Sequence, residues 1–186
     1  MSSSTLTRTV ATGLAAALSA AALSAAMLGL AGSAHAQAGP VSCDASGASR
    51  FTPGVQAAPQ PVAVTYVGDD RACQDPGGAF TSARITANFR NVTLSCLASY
   101  PGPVSGSGSG TVHWSNGEQS EVDLTLENST LNSASVTGTV REGPFAGQRF
   151  TGKFATDLAA GAFKCSFGAP VGGVSSADFT GSYTVG

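Results

Sequence analysis

The sequence predicts an all-β fold, an antiparallel β-sandwich or barrel of about nine strands, and three observations carry that expectation. From Pro61 onward, short runs rich in Val, Thr, Phe and Tyr alternate with Gly, Asn, Asp and Pro, the residue usage of strands joined by tight turns. No window past residue 37 repeats its apolar residues at the helical interval. The four cysteines Cys43, Cys73, Cys96 and Cys165 form an even set of the kind that staples small extracellular domains.

Taken in chain order, the first segment reads as a leader. Arg8 is followed by an Ala/Leu-rich apolar run from Val10 to Leu30 and then by "GSAHA". The small residues Ala34 and Ala36 suit a signal peptidase cutting after Ala36. The run is nearly long enough for a membrane anchor, but its alanine content and its cleavage pattern favour a signal peptide over residues 1–36. The mature chain is then expected to be secreted, extracellular and free of the membrane. Residues 37–186 are one domain's worth of chain.

Without Arg8, eight Lys and Arg face eleven Asp and Glu, a net charge of −3. The basic residues are scattered singly, which argues against nucleic acid or an anionic membrane as partner.

Residues 37–60 are rich in Ala, Gly, Pro and Ser, with a turn expected at "FTPG", Phe51–Gly54. This is read as an extended entry segment, and residues 61–186 as the all-β domain. Strands are expected near 61–67, 80–90, 92–98, 109–114, 119–127, 132–141, 147–156, 161–167 and 176–185. "PGPVSGSGSG", Pro101–Gly110, is read as a mobile loop. "VTGTV", "FTGKF" and "FTGSY" each place Thr-Gly in mid-strand. Glycine there marks a bulge or the close approach of another element. The expected disulfides are Cys43 with Cys73 and Cys96 with Cys165, because Cys96 and Cys165 lie in strand-like runs and the other two at loop edges. No C-x-x-C pair exists to hold zinc.

"TVHWSNGEQSEVDLTL", Thr111–Leu126, holds a histidine, a serine and two carboxylates. Its Asn-Gly pair is a strong hairpin signal, so loop length decides which side chains share a face. A two-residue loop would make facing positions sum to 233 and split the apolar residues between faces. A three-residue loop, Ser115–Gly117 with Gly117 left-handed, makes them sum to 232. Val112, Trp114, Val122, Leu124 and Leu126 then share one side with Ser120, and His113, Gln119, Glu121, Asp123 and Thr125 share the other. Burying each apolar side chain is worth roughly 1.5–3 kcal/mol, which selects the odd loop. His113 and Ser120 are thereby separated by the pleat, and no catalytic residue is assigned.

The weaker site candidates are Trp114, Tyr100 and His113 for ligand binding. Asp69, Asp70 and Asp75 offer oxygen atoms to calcium on one loop, but an acidic turn clipped by a disulfide is the plainer reading, so no metal and no cofactor are expected. Glu121 and Asp123 are the carboxylates a small carbohydrate-active hydrolase would use.

The series "SRFTPGV", "TLSC", "GSGSGTVHWSNGEQSEV" and "VTGTVREGPFAGQRFTGKF", with a last cysteine before a closing β run, resembles a family of small secreted actinobacterial β proteins. The resemblance covers the chain from about Cys43 to its end. Its most specific parts are W-S-N-G at Trp114–Gly117 and G-x-F-x-G at Gly143–Gly147. It implies secretion, a β fold and disulfides, and it assigns no activity to any residue. The expectation from sequence is a monomeric, non-catalytic extracellular domain that binds glycan or protein, or serves as a structural component. A glycan-binding role requires exposed aromatics among Trp114, Tyr100, Tyr66 and Phe145.

Overall fold

The computed structural model describes residues 39–96, 104–129, 133–156 and 173–186. Nine antiparallel strands run in chain order: β1 (Val41–Val55), β2 (Gln60–Gly68), β3 (Arg71–Gln74), β4 (Ser82–Leu94), β5 (Val104–Trp114), β6 (Gln119–Ser129), β7 (Ser133–Glu142), β8 (Arg149–Thr156) and β9 (Val174–Val185). β2, β4, β5, β6, β7, β8 and β9 pair in turn, and β1 pairs with both β9 and β2. The result is a closed eight-stranded barrel with one extra strand. Closure leaves no free edge.

The extra strand occupies a slot the barrel already has. β3 lies between β1 and β4, as β2 does, and in the same direction. Facing positions sum to 115 where Gly47 meets Gly68 and to 116 where Cys43 meets Cys73. β3 is therefore β2 resumed, one register step out, after a break at Asp69 and Asp70. The Cys43–Cys73 disulfide, with Cα atoms 4.0 Å apart, ties this short continuation to β1. The pairing expected for these two cysteines is formed. Where two disulfides were expected, one is present among the described residues. Cys165 lies outside them, as do residues 1–36, Tyr100 and the strand expected at 161–167.

Three expectations are corrected. Residues 37–60 are not a mere lead-in, because β1 pairs with β2, β3 and β9. Its inner positions Val41, Cys43 and Ala45 are buried, so small side chains hid an ordinary alternation. The runs at 80–90 and 92–98 form one strand, β4, in which Asn91 takes a left-handed φ of 56° at a shift in its register with β2. Most of "PVSGSGSG" is strand, not loop: in β5 the serines face outward, while Gly106, Gly108 and Gly110 take the inner positions.

Those inner glycines have a packing reason. A Cβ on Gly108 would sit 2.8 Å from Phe89 Cδ1, one on Gly110 2.8 Å from Leu124 Cδ1, and one on Gly106 2.9 Å from Val92 Cγ2. Side chains of β4 and β6 thus fill the space in front of β5. The Thr-Gly echo has the same basis. Gly138, Gly152 and Gly181 all point inward between large residues, and a Cβ on Gly152 or Gly181 would meet the Phe154 ring within 3.0 Å. An eight-stranded barrel has an interior just wide enough for its side chains or one small ligand, so large residues must alternate with empty positions.

Candidate functional site

The β5–β6 hairpin closes with the three-residue register. Val112 faces Ser120 and His113 faces Gln119, both summing to 232, and Gly117 has a φ of 88°. The Gly117 N–H donates to the Trp114 carbonyl and the Trp114 N–H to that of Glu118, each at 2.9 Å. Val112, Trp114, Val122, Leu124 and Leu126 are buried together with Ser120, as the alternation predicts.

The pleat separates the reactive-looking groups. His113 lies on the outer face between Arg84 and Gln119. Glu121 and Asp123 lie on that face too, 3.9 Å and 3.3 Å from the Arg141 guanidinium, and the Thr111 hydroxyl donates to Glu121 at 3.0 Å. Inside, Trp114 Nε1–H donates to Ser120 Oγ at 2.8 Å, and the Ser120 hydroxyl donates to the Pro144 carbonyl at 2.6 Å. Phe80 and Phe145 pack on Trp114 with ring centroids at 4.6 Å and 5.4 Å. This aromatic plug fills the end of the barrel where β5 finishes and β6 begins.

The aromatics named for an exposed patch do not form one among the described residues. Trp114 and Tyr66 are buried, Phe145 is half-buried, and Val67 is the exposed large hydrophobic. The acidic loop is also committed to structure. Both Asp75 oxygens accept backbone N–H groups, from Gly77 at 2.8 Å, Ala79 at 2.7 Å and Phe80 at 2.9 Å. Asp69 accepts from the Ser46 hydroxyl and pairs with Arg71. Among the described residues no three His, Cys, Asp or Glu side chains gather as metal ligands, and no helix is long and apolar enough to cross a membrane.

The feature that sequence reasoning missed lies inside the barrel. A cavity of about 80 Å³ runs from Ile85 and Phe150 at mid-barrel to Leu94 and Thr156 at the ends of β4 and β8. Among the described residues its wall is apolar apart from Ser49, Tyr66 and Thr156. Tyr66 stacks on Phe179 with ring centroids 3.5 Å apart and meets the Phe154 edge at 5.4 Å. Tyr183 stacks on Phe150 at 5.3 Å. The hydroxyls of Tyr66 and Tyr183 are both buried and neither has a hydrogen-bond partner.

Burial pushes the Tyr66 hydroxyl pKa well above the usual phenol range, and the neighbouring Tyr183 raises it further. Burial likewise raises that of Tyr183. Both are therefore neutral donors at physiological pH. Their inward position was readable from alternation, since Tyr66 shares a face with Val62 and Val64 in β2, and Tyr183 with Phe179 and Gly181 in β9. Compared with protein-family models, with curated proteins and with solved structures, the chain matches none.

Proposed function

We propose that this protein is a secreted, non-catalytic binding domain that holds a small, largely apolar molecule inside the barrel. The observation that carries this reading is the buried, unpartnered hydroxyl of Tyr66, a residue that lines an apolar cavity. A buried polar group without a partner costs about 1–3 kcal/mol, and native structures keep few of them. A ligand oxygen in the cavity would satisfy the Tyr66 hydroxyl. Secretion is supported by the leader-like residues 1–36 and by the Cys43–Cys73 disulfide, a bond that persists in oxidising compartments.

The cavity is about 80 Å³, smaller than the roughly 150 Å³ engineered cavity that admits benzene. The fit is therefore to a short alkyl body, smaller than an aromatic ring. The test is thermal unfolding of the purified protein with 1-propanol or 2-butanone. A ligand that binds only the folded state raises Tm with its concentration. Ala134→Phe, which fills the cavity, should abolish the rise while the barrel still unfolds cooperatively. No rise with either probe would overturn the reading and leave an ordered water as the partner of the tyrosines.

A further inference from the structure

We infer that the barrel interior selects an electrically neutral ligand carrying one oxygen, an aldehyde, ketone or alcohol, and rejects the carboxylate and ammonium of the same size. This rests on the interior being the binding site, and it adds the chemical class. Among the described residues the buried polar side chains, tyrosines aside, are Ser49, Ser95 and Ser120, with no Asp, Glu, Lys, Arg or His among them. Ser120 is occupied by Trp114 and Pro144, and the Ser95 hydroxyl donates to the Ala57 carbonyl. The polar side chains that line the cavity among the described residues are Ser49, Tyr66 and Thr156.

None of these described groups carries a charge. A carboxylate or ammonium moved against such a wall loses its hydration with no counter-ion from the described residues in return. A neutral oxygen has far less hydration to lose, and its lone pairs accept the Tyr66 O–H. Ring stacking adds direction, because Phe179 covers the face of Tyr66. Its hydroxyl is thus the end left to meet a ligand.

The experiment compares 2-butanone, 1-butanol, butanoate and butylammonium at neutral pH, by calorimetry on the purified protein. The two neutral probes should bind at least tenfold tighter than either ion. Tyr66→Phe should weaken the neutral probes about fivefold, the worth of one hydrogen bond, with an unchanged far-ultraviolet spectrum. Butanoate or butylammonium binding as tightly as 2-butanone would overturn the neutral selection and leave the interior site standing. Neutral probes that bind the Tyr66→Phe variant undiminished would overturn the role of the hydroxyl. Failure of all four probes would remove the site itself.

Discussion

Trp114 and Ser120 meet diagonally inside the barrel, with Nε1–H donating to Oγ at 2.8 Å. That same hydroxyl donates to the Pro144 carbonyl at 2.6 Å, so one serine joins the β5–β6 hairpin to the turn after β7. Ser120→Ala leaves the indole donor and the carbonyl without a partner. At about 1–3 kcal/mol for each of the two unsatisfied groups, the expected loss is about 2–6 kcal/mol. Urea unfolding followed by the fluorescence of the single tryptophan measures it. A loss below about 0.5 kcal/mol would mean that water replaces the hydroxyl at no cost.

What the sequence revealed and what it hid divide along a physical line. The β5–β6 register was legible because Asn116-Gly117 sets the turn and five large apolar residues must share a face. β1 was hidden because its inner positions begin with valine, cysteine and alanine, whose alternation is faint. The first half of β5 was hidden because its inner positions are glycines, and the side chains that fill its face belong to β4 and β6. Barrel closure depends on the pairing of β1 with β9, whose partners are more than a hundred residues apart. The cavity follows from that closure, so no local pattern announces it. Tyr66 was singled out in sequence as an aromatic but for the wrong side of the sheet.

Gly117 tests the turn by itself. Its φ is 88°, and nothing lies within 4 Å of where a Cβ would be. A substitution there meets backbone strain and no clash. Gly117→Ala should cost about 1–2 kcal/mol, the penalty of a left-handed L-residue. Gly117→Asn should cost clearly less, since asparagine tolerates that conformation. Equal losses from the two variants in thermal unfolding would contradict this account.

Gly138 and Gly106 separate two kinds of close approach. A Cβ on Gly138 would lie 2.2 Å from the Asp123 carbonyl oxygen, which is backbone, and 3.0 Å from Leu124 Cδ2. One on Gly106 would meet Val92 Cγ2 at 2.9 Å, the end of a side chain. Gly138→Ala must part β6 from β7 and should cost about 3 kcal/mol, the upper range of overpacking. Gly106→Ala should cost about 1 kcal/mol. The ranking is read by urea midpoints, and the reverse order would show that the inner wall yields in its backbone before its side chains.

Asp75 gives the acid side of the stability profile. Burial works against its charged form, but the N–H donors of Phe80, Gly77 and Ala79 together outweigh that and hold the carboxyl below its ordinary range. A group with a depressed folded pKa stabilises fully above its unfolded value, about 4, and this contribution fades as pH falls through the folded value. Asp75→Asn should thus be less stable than the parent at neutral pH, and the gap should close below about pH 4. A gap that stays constant with acidification would assign the effect to shape and not to charge.

Tyr66 and Tyr183 govern the alkaline side, with the opposite sign. Burial raises both hydroxyl pKa values in the fold, and for Tyr66 the nearby Tyr183 adds to it. The neutral form is thus the one the barrel tolerates. A raised folded pKa leaves stability untouched below the unfolded value, about 10. Above it the unfolded chain ionises first, and each tyrosine removes about 1.4 kcal/mol per pH unit until the folded value is reached. The wild type should lose stability steeply above about pH 10, and no more than one of its three tyrosines should show phenolate absorbance before the barrel opens. The double variant Tyr66→Phe with Tyr183→Phe should lose that steep alkaline limb. It should also equal or exceed the wild type at neutral pH, because it removes two buried hydroxyls that lack partners. A double variant that is less stable at neutral pH would show that those hydroxyls are satisfied in solution, and the argument for a ligand oxygen at Tyr66 would fall with it.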